Sequence, residues 1–359
     1  MNYGILIKLF GRYGMNKIIQ KDCEYILNNI DIEKLANKKL LITGIAGFLG
    51  YNFYNVIKYA NDTILKEREC KLCGIDNFII RKPDWLIDTK DIKIIKFDVT
   101  KPNNLYMNQD YIIHAASIAS PTFYRENPIK TIDANILGLK NILEYSKDDL
   151  KSILFFSTSE IYGDPDKKHI PTSEDYNGNV SCVGPRSCYD ESKRCGEAIC
   201  MAYYRKYNKP IKIVRPFNNY GPGLYLDDKR VIPDFCKNLL EGNDLKIYSN
   251  GLSTRTFCYV SDAMIGYFKI LLSNYNGEVF NIGNDKDEMN IKDLAKIISN
   301  YGDVEIKFEN NKDENYNTDC PKRRCPNISK ARKLLGYDPK ISIEYGIKKT
   351  ITWYKEVGN

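Results

Sequence analysis

The stretch Thr43-Gly44-Ile45-Ala46-Gly47-Phe48-Leu49-Gly50 decides the fold. It follows the short apolar run Leu40-Leu41-Ile42, which reads as a strand, and it opens a helical pattern over residues 48–60. Three glycines at a spacing of three and three between strand and helix make a turn suited to a pyrophosphate. Gly44 permits the tight turn. Gly47 lets backbone come close to the pyrophosphate, whose charge is favoured at a helix N-terminus, and Gly50 lets the helix pack against the strand. Phe48 and Leu49 belong to the same cofactor-binding turn.

The next strand, Lys71-Leu72-Cys73-Gly74-Ile75, ends at Asp76. A carboxylate there can accept from both hydroxyls of an adenosine ribose and would repel a 2′-phosphate, so NAD is expected rather than NADP. Asn77 is read with it. Asp98 and Val99, after the third strand, join the set, with Asp98 as an acceptor for the adenine amine. Ala115, Ala116 and Ser117, after the fourth strand, complete it.

Working outward, further strands are predicted at 92–97, 111–113, 153–156 and 211–214, with helical patterns at about 127–146 and 189–207. Repeated βα units with right-handed crossovers imply an α/β fold, a doubly wound parallel Rossmann sheet. Beyond residue 216, Gly221, Pro222 and Gly223 mark loops and the elements shorten. The expected organisation is therefore an N-terminal extension (1–37), an NAD-binding domain (38–216, with a returning segment near 257–285) and a smaller α/β substrate domain (217–256 and 286–359).

Composition narrows the class. The chain has 359 residues, 43% hydrophobic and 28% charged, long enough for a real core. The net charge of +7 comes from lysines spread along the chain, without the run or stripe of a nucleic-acid surface. No apolar run is long enough to span a bilayer, and the opening Met1–Lys8 lacks the marks of a signal peptide, so a cytoplasmic protein is expected. The eleven cysteines then read as free thiols. Cys70 and Cys73 have zinc-like spacing, but no second such pair exists and the only histidines are His114 and His169, so no metal is expected. Both histidines read as structural or solvated rather than catalytic.

The chemistry is carried by Tyr189-Asp190-Glu191-Ser192-Lys193. At i and i+4 on a helix, the tyrosine and lysine share one face. The ammonium is expected to lower the phenol pKa and make Tyr189 a base for a hydroxyl proton. Four other pairs have this spacing, Tyr13/Lys17, Tyr54/Lys58, Tyr225/Lys229 and Tyr345/Lys349. Tyr189 is set apart because it follows a strand ending in Ser157-Thr158-Ser159-Glu160-Ile161-Tyr162-Gly163, at the sheet edge where ligands bind.

The glycine turn, Asp76, this strand end and the Tyr-Lys pair together resemble the extended short-chain dehydrogenase/reductase family of nucleotide-sugar epimerases, dehydratases and decarboxylases, from about residue 38 to the C-terminus. Within it, four stretches resemble the UDP-glucuronate decarboxylase branch. They are Ala119-Ser120-Pro121 with Tyr124, the Ser157–Pro165 run, Gly184–Arg194, and Thr254-Arg255-Thr256-Phe257. The 4,6-dehydratases usually have an aspartate where Ser159 stands, and the C4 epimerases usually lack an acid at Glu160. Departures are Thr122, Asn327 and the first 37 residues.

The resemblance implies transient oxidation at C4 of a UDP-hexuronate, loss of carbon dioxide and reduction to a UDP-pentose with NAD recycled. Thr158 would hydrogen-bond the C4 oxygen, Ser159 and Glu160 would manage the proton at C5, and Arg255 would hold the carboxylate or enolate. Pro121, Tyr124, Arg186, Asn218, Arg230, Tyr248 and Arg324 are implied for the nucleotide-sugar, Tyr248 as a wall against the base. A homodimer built from the helices around 129–146 and 189–207 is implied as well. The alternatives are a 4,6-dehydratase, a C4 epimerase or a C4 oxidase on another nucleotide-sugar, and, from another class, a silent NAD-binding scaffold.

Overall fold

The computed structural model describes residues 15–86, 92–309, 318 and 321–358. The chain enters through helix α1 (Lys17–Leu27), then runs β1 (Lys39–Thr43), α2 (Phe48–Asp62), β2 (Lys71–Asp76), β3 (Lys93–Lys96) and β4 (Tyr111–His114). After α3 (Pro128–Asp133) and α4 (Leu139–Tyr145) come β5 (Ser152–Phe156), α5 (Ser187–Tyr207) and β6 (Ile211–Pro216). A later strand, β7 (Val279–Ile282), pairs with β6 at the edge of the large sheet.

All seven strands are parallel, in the order β7-β6-β5-β4-β1-β2-β3. The central strands are buried on both faces, as a helix-covered parallel sheet requires. Their side chains alternate. Leu40, Ile42, Ile113, Leu154 and Phe156 face one apolar cluster with α1 and α2. Leu41, Ile112, Ile153 and Phe155 face another, closed by Leu139, Ile142 and Leu143 of α4 and Cys200 of α5. Chain order reverses between β1 and β4. A crevice therefore opens at their carboxyl ends, the topological switch point.

One predicted element changes. The pattern at 127–146 is α3 and α4 joined by a π turn over Ala134–Gly138, which turns Asn135 inward so that its Nδ2 donates to Ser192 Oγ at 2.8 Å. A 3.6-residue periodicity is blind to one wider turn. In the N-terminal extension, the helix ends at Leu27, and Ile32–Leu35 is a separate 3-10 turn. The first fourteen residues of that extension lie outside the described residues. The rest packs on the body, with Ile19, Cys23 and Ile26 buried, Asp22 accepting from Tyr259 Oη at 2.8 Å and Tyr25 donating to Asp262 at 2.8 Å.

Beyond β6 the chain builds a smaller lobe over the carboxyl ends of the sheet. It contains α6 (Val231–Leu240), α7 (Val260–Leu271), α8 (Ile291–Ser299) and α9 (Ile343–Val357), of which α7 packs back on the large sheet. Thr254–Arg255 lies between Met289–Asn290 and Arg323–Arg324 in a short three-stranded sheet. Among the described residues, no helix is long and apolar enough to cross a membrane.

Candidate active site

One cavity of about 1070 Å³ runs from the glycine turn and Asp76 to Tyr248 and Arg255 in the smaller lobe. All the site residues singled out in the sequence line it.

At the cofactor end, Gly44 has φ +74°, and a Cβ there would stand 2.8 Å from the Ala115 carbonyl. At Gly50 a Cβ would stand 2.3 Å from Ile45 O, so the close helix–strand approach admits only glycine. Gly47, which caps α2, would bring a Cβ near nothing but Gly44 O at 3.3 Å. Its open side is the cavity, a cradle in which a diphosphate fits. Asp76 accepts from Ala46 N–H at 3.1 Å and from Phe78 N–H at 2.8 Å, and burial raises its carboxyl above the usual range. Asn77 and Asp98 cap their own turns through Ile79 N–H and Thr100 N–H, both at 3.0 Å. Ala116 N–H is held by Thr43 Oγ1 at 3.1 Å. The Ser117 hydroxyl is buried at the cavity wall with no hydrogen-bond partner among the described residues. Cradle, ribose carboxylate and orphaned hydroxyl all fit a dinucleotide.

His114 donates nothing to this cavity. It is buried against Thr43, with Nδ1 at 2.8 Å from Oγ1, and burial first, then the Lys193 charge, pull it down to about 3. It is neutral.

At the reacting end, Tyr189 lies face to face with Tyr124, ring centroids 5.1 Å apart and planes at 3°. One helical turn on, Lys193 Nζ donates to the Phe156 carbonyl at 2.7 Å. The expected lowering of the phenol pKa is not what this geometry produces. Burial dominates and pushes Tyr189 up to about 12, against a hydrogen bond from Thr158 and the charges of Arg230 and Arg186. Burial also pulls Lys193 down to about 7, so its ammonium is easily lost.

The strand end turns sharply. Thr158 caps a single 3-10 turn, Ser159–Tyr162, through Oγ1 to Glu160 N–H at 3.2 Å. Glu160 is no solvated acid. Its two oxygens are gripped by Arg186 from the start of α5 and by Arg324 from the smaller lobe. Arg324 is buried, which pulls it down to about 9, and it also donates to Gly163 O at 3.2 Å. The two arginines assigned to the substrate thus meet on the assigned acid.

The remaining predicted residues take up positions around this centre. Arg255 donates to the Thr254 carbonyl at 2.7 Å and the Pro321 carbonyl at 2.5 Å. Arg230 is paired with Asp228 and faces Tyr189 closely enough to act on it. Asn218, at φ +40°, donates to Thr256 O at 2.9 Å. Pro121 opens a short helix whose preceding Ser120 ties to Asp228 O at 2.7 Å. Sequence reading missed Arg81, Tyr225 and Asp227, which close the cavity near Asp76, and the group Tyr162, Glu197 and Arg215 behind the strand end. Neither group has a local pattern, since its members meet only in the fold.

A glycine turn at a switch point, facing a buried Tyr-Lys pair across one cleft, defines a short-chain dehydrogenase/reductase type of nicotinamide enzyme. The chain belongs to the NAD dependent epimerase/dehydratase family, which matches it over residues 40–283. UDP-glucuronic acid decarboxylase 6 of Arabidopsis thaliana is 38% identical over 317 residues, 87% of each chain. UDP-glucuronic acid decarboxylase 1 of Xenopus tropicalis is 37% identical over 326 residues, 89% of this chain and 72% of the other. Among solved structures, UDP-glucuronic acid 4-epimerase from Bacillus cereus, in complex with UDP-glucuronic acid and NAD, superposes with a TM-score of 0.73 at 26% identity, covering 89% of this chain and all (100%) of the other. The fold is also that of dTDP-glucose 4,6-dehydratase from Streptomyces venezuelae, with a TM-score of 0.77, 23% identity and coverage of 89% and 97%.

Proposed function

We propose that this chain is an NAD-dependent decarboxylase of UDP-glucuronate, giving UDP-xylose by transient oxidation at C4. The observation that carries the reading is the strand end Thr158-Ser159-Glu160 facing Tyr189 in one cleft, with the two oxygens of Glu160 gripped by two arginines. A dehydratase needs an acid at the Ser159 position to protonate a leaving hydroxyl, and a serine does not serve. The high identity to UDP-glucuronic acid decarboxylases supports the same choice.

NAD, when bound, supplies a hydride acceptor for C4 that also returns the hydride. Tyr189 takes the C4 hydroxyl proton, with Thr158 bonding the same oxygen. The Thr158 hydrogen bond and the charges of Arg230 and Arg186 oppose the burial that holds it protonated. Once C4 is a ketone, the C6 carboxylate is that of a β-keto acid. The C5–C6 bond breaks, carbon dioxide leaves and its electrons form an enolate. Arg255 holds that carboxylate and then the enolate oxygen. Ser159 and the Glu160 carboxylate orient the water that protonates C5. Arg186, Asn218, Arg230 and Tyr248 line the channel for the nucleotide diphosphate, which passes Pro121 and Tyr124.

The same reading gives residues 38–216 and the 257–285 return to the cofactor, and 217–256 and 286–359 to the nucleotide-sugar. It includes a cytoplasmic homodimer through α3, α4 and α5, supported by exposed Ile129 on α3, Leu137 in the π turn between α3 and α4, and Tyr207 at the end of α5.

The test is incubation with UDP-glucuronate and NAD⁺, with the product analysed by mass and by proton NMR, which separates C4 epimers. A UDP-pentose lighter by carbon dioxide, with NAD⁺ undiminished, is expected. UDP-galacturonate would make the chain an epimerase, a 4-keto pentose with NADH a C4 oxidase, and unchanged substrate refutes the reading.

A further inference from the structure

Behind the strand end, away from the cavity, lies a buried polar group that the reaction as described does not use. Arg215, on β6, is 7% exposed. Its guanidinium forks onto Glu197 of α5, Nε to Oε1 at 2.8 Å and Nη2 to Oε2 at 2.6 Å. Its Nη1 donates to the Tyr162 hydroxyl at 2.7 Å and to the Glu174 carbonyl at 2.8 Å. The Tyr162 hydroxyl in turn donates to Asn281 Oδ1 on β7 at 2.7 Å. Asn281 Nδ2 reaches the Thr172 carbonyl at 2.9 Å and the Asn327 carbonyl at 3.2 Å. One guanidinium thus joins the helix of Tyr189 and Lys193, the central sheet and the last residue of the Ser159–Tyr162 turn.

A buried ion pair contributes little net stability over an apolar cluster of the same volume, because desolvation offsets its attraction. Its bonds, however, are directional and admit one arrangement of the groups they join. Tyr162 brings such a restraint to the turn. The turn is only four residues long, and Gly163 leaves it at φ +61°. Besides the arginines on Glu160, it is anchored by Thr158 Oγ1 to Glu160 N–H at 3.2 Å, by Arg194 Nη1 to the Ile161 carbonyl at 3.1 Å, by Asn179 N–H to the Tyr162 carbonyl at 3.0 Å and by the Tyr162 side chain, the one anchor that ties it to α5 and the sheet through a single guanidinium. Glu197 stands four residues after Lys193, so it shares that lysine's face of α5, and its carboxylate is oriented by the same fork.

We propose that Arg215 is a positioning residue for the reaction, holding the Ser159–Tyr162 turn, and with it Glu160, in register with Tyr189 and Lys193 through the Tyr162 hydroxyl. This rests on the functional reading above for what Glu160 does, though not for how the turn is held.

Two variants test it in the full-length, NAD-loaded protein. Tyr162→Phe removes the hydroxyl and keeps the ring. Arg215→Lys keeps the charge and loses the fork. In each, kcat with UDP-glucuronate is expected to fall roughly 10- to 100-fold, the scale of a small misplacement of reacting groups. KM should stay within about twofold, since the substrate's remote contacts are untouched. Amide hydrogen exchange supplies a readout independent of turnover. Protection of the Glu160, Gly163 and Asn179 amides, which bond within or against this turn, should drop while β4 and β5 keep theirs. Unchanged exchange at those amides in Tyr162→Phe overturns the proposal, as does a loss of protection spread across the whole sheet. A wild-type protein that leaves UDP-glucuronate intact defeats the functional reading instead, and the exchange pattern still decides the positioning role.

Discussion

Tyr189 and Lys193 were legible because their spacing is local, one helical turn, and their position after a Ser/Thr-rich strand end is unusual. Their energetics were not, since burial is set by residues far away in sequence. The same holds for Glu160, whose partner Arg324 is 164 residues on. Tyr189→Phe should lower kcat by about 10²–10⁴, the usual worth of a positioned base, while NAD stays bound to the purified protein. Normal turnover in that variant removes Tyr189 from the chemistry. His114 gives a prediction on stability. Its folded pKa, about 3, lies below the ordinary 6.5, so the unfolded chain binds a proton first. Stability from this group is complete above pH 6.5 and declines as pH falls, by about 1.4 kcal/mol per unit once the unfolded imidazole is charged. Urea midpoints should therefore drop between pH 6.5 and about 4.5. A His114→Gln variant, weaker at neutral pH, should show a flatter limb over that range, and an unchanged slope would contradict the assignment.

At the scale of elements, the glycine turn, the strands and α5 were visible because each writes its own period and punctuation. The π turn at Ala134–Gly138 and the helix α1 were not. Helix α1 takes its place from Tyr259, Asp262 and Lys349, which lie far away in sequence. The turn itself separates two kinds of glycine, and substitution should tell them apart. Gly50→Ala drives a Cβ to 2.3 Å from a backbone carbonyl that cannot yield, so the fold should lose about 1–3 kcal/mol, seen as a lower Tm. Gly47→Ala meets only Gly44 O at 3.3 Å. Its Tm should hardly move, yet the methyl occupies the side on which a diphosphate must approach, so NAD should bind roughly tenfold more weakly or worse, about 1.4 kcal/mol. Equal effects of the two substitutions on both measurements would mean the cradle has been misplaced.

For the whole molecule, the doubly wound parallel sheet followed from the alternation of βα units, and so did a cleft at the carboxyl ends of its strands. How the two sides of that cleft are joined did not, because the joining residues sit in loops without pattern. Arg81, after β2, pairs with Asp227 of the smaller lobe and lies over the Tyr225 ring at 4.4 Å from its centroid. Tyr225 in turn donates to Ala46 O, in the glycine turn, at 3.0 Å. These three side chains strap the lobe to the sheet across the cofactor end of the cavity. An enzyme that returns its hydride to the same substrate gains from keeping its cofactor, and a strap slows release without touching the reacting atoms. The Arg81 contacts are exposed and modest, with an ion pair worth about 0–1 kcal/mol and a cation–π contact about 0.5–1 kcal/mol. Together they bear on the rate of opening by roughly tenfold, at about 1.4 kcal/mol per decade. Arg81→Ala should thus speed NAD dissociation about tenfold in a chase with unlabelled cofactor, with the effect shrinking at high salt in the wild type and absent from the variant. Asp227→Asn should give part of the acceleration, because the contact with Tyr225 survives. If neither variant releases NAD faster than the wild type, the strap does not gate the cofactor, and retention must come from the cradle and Asp76 alone.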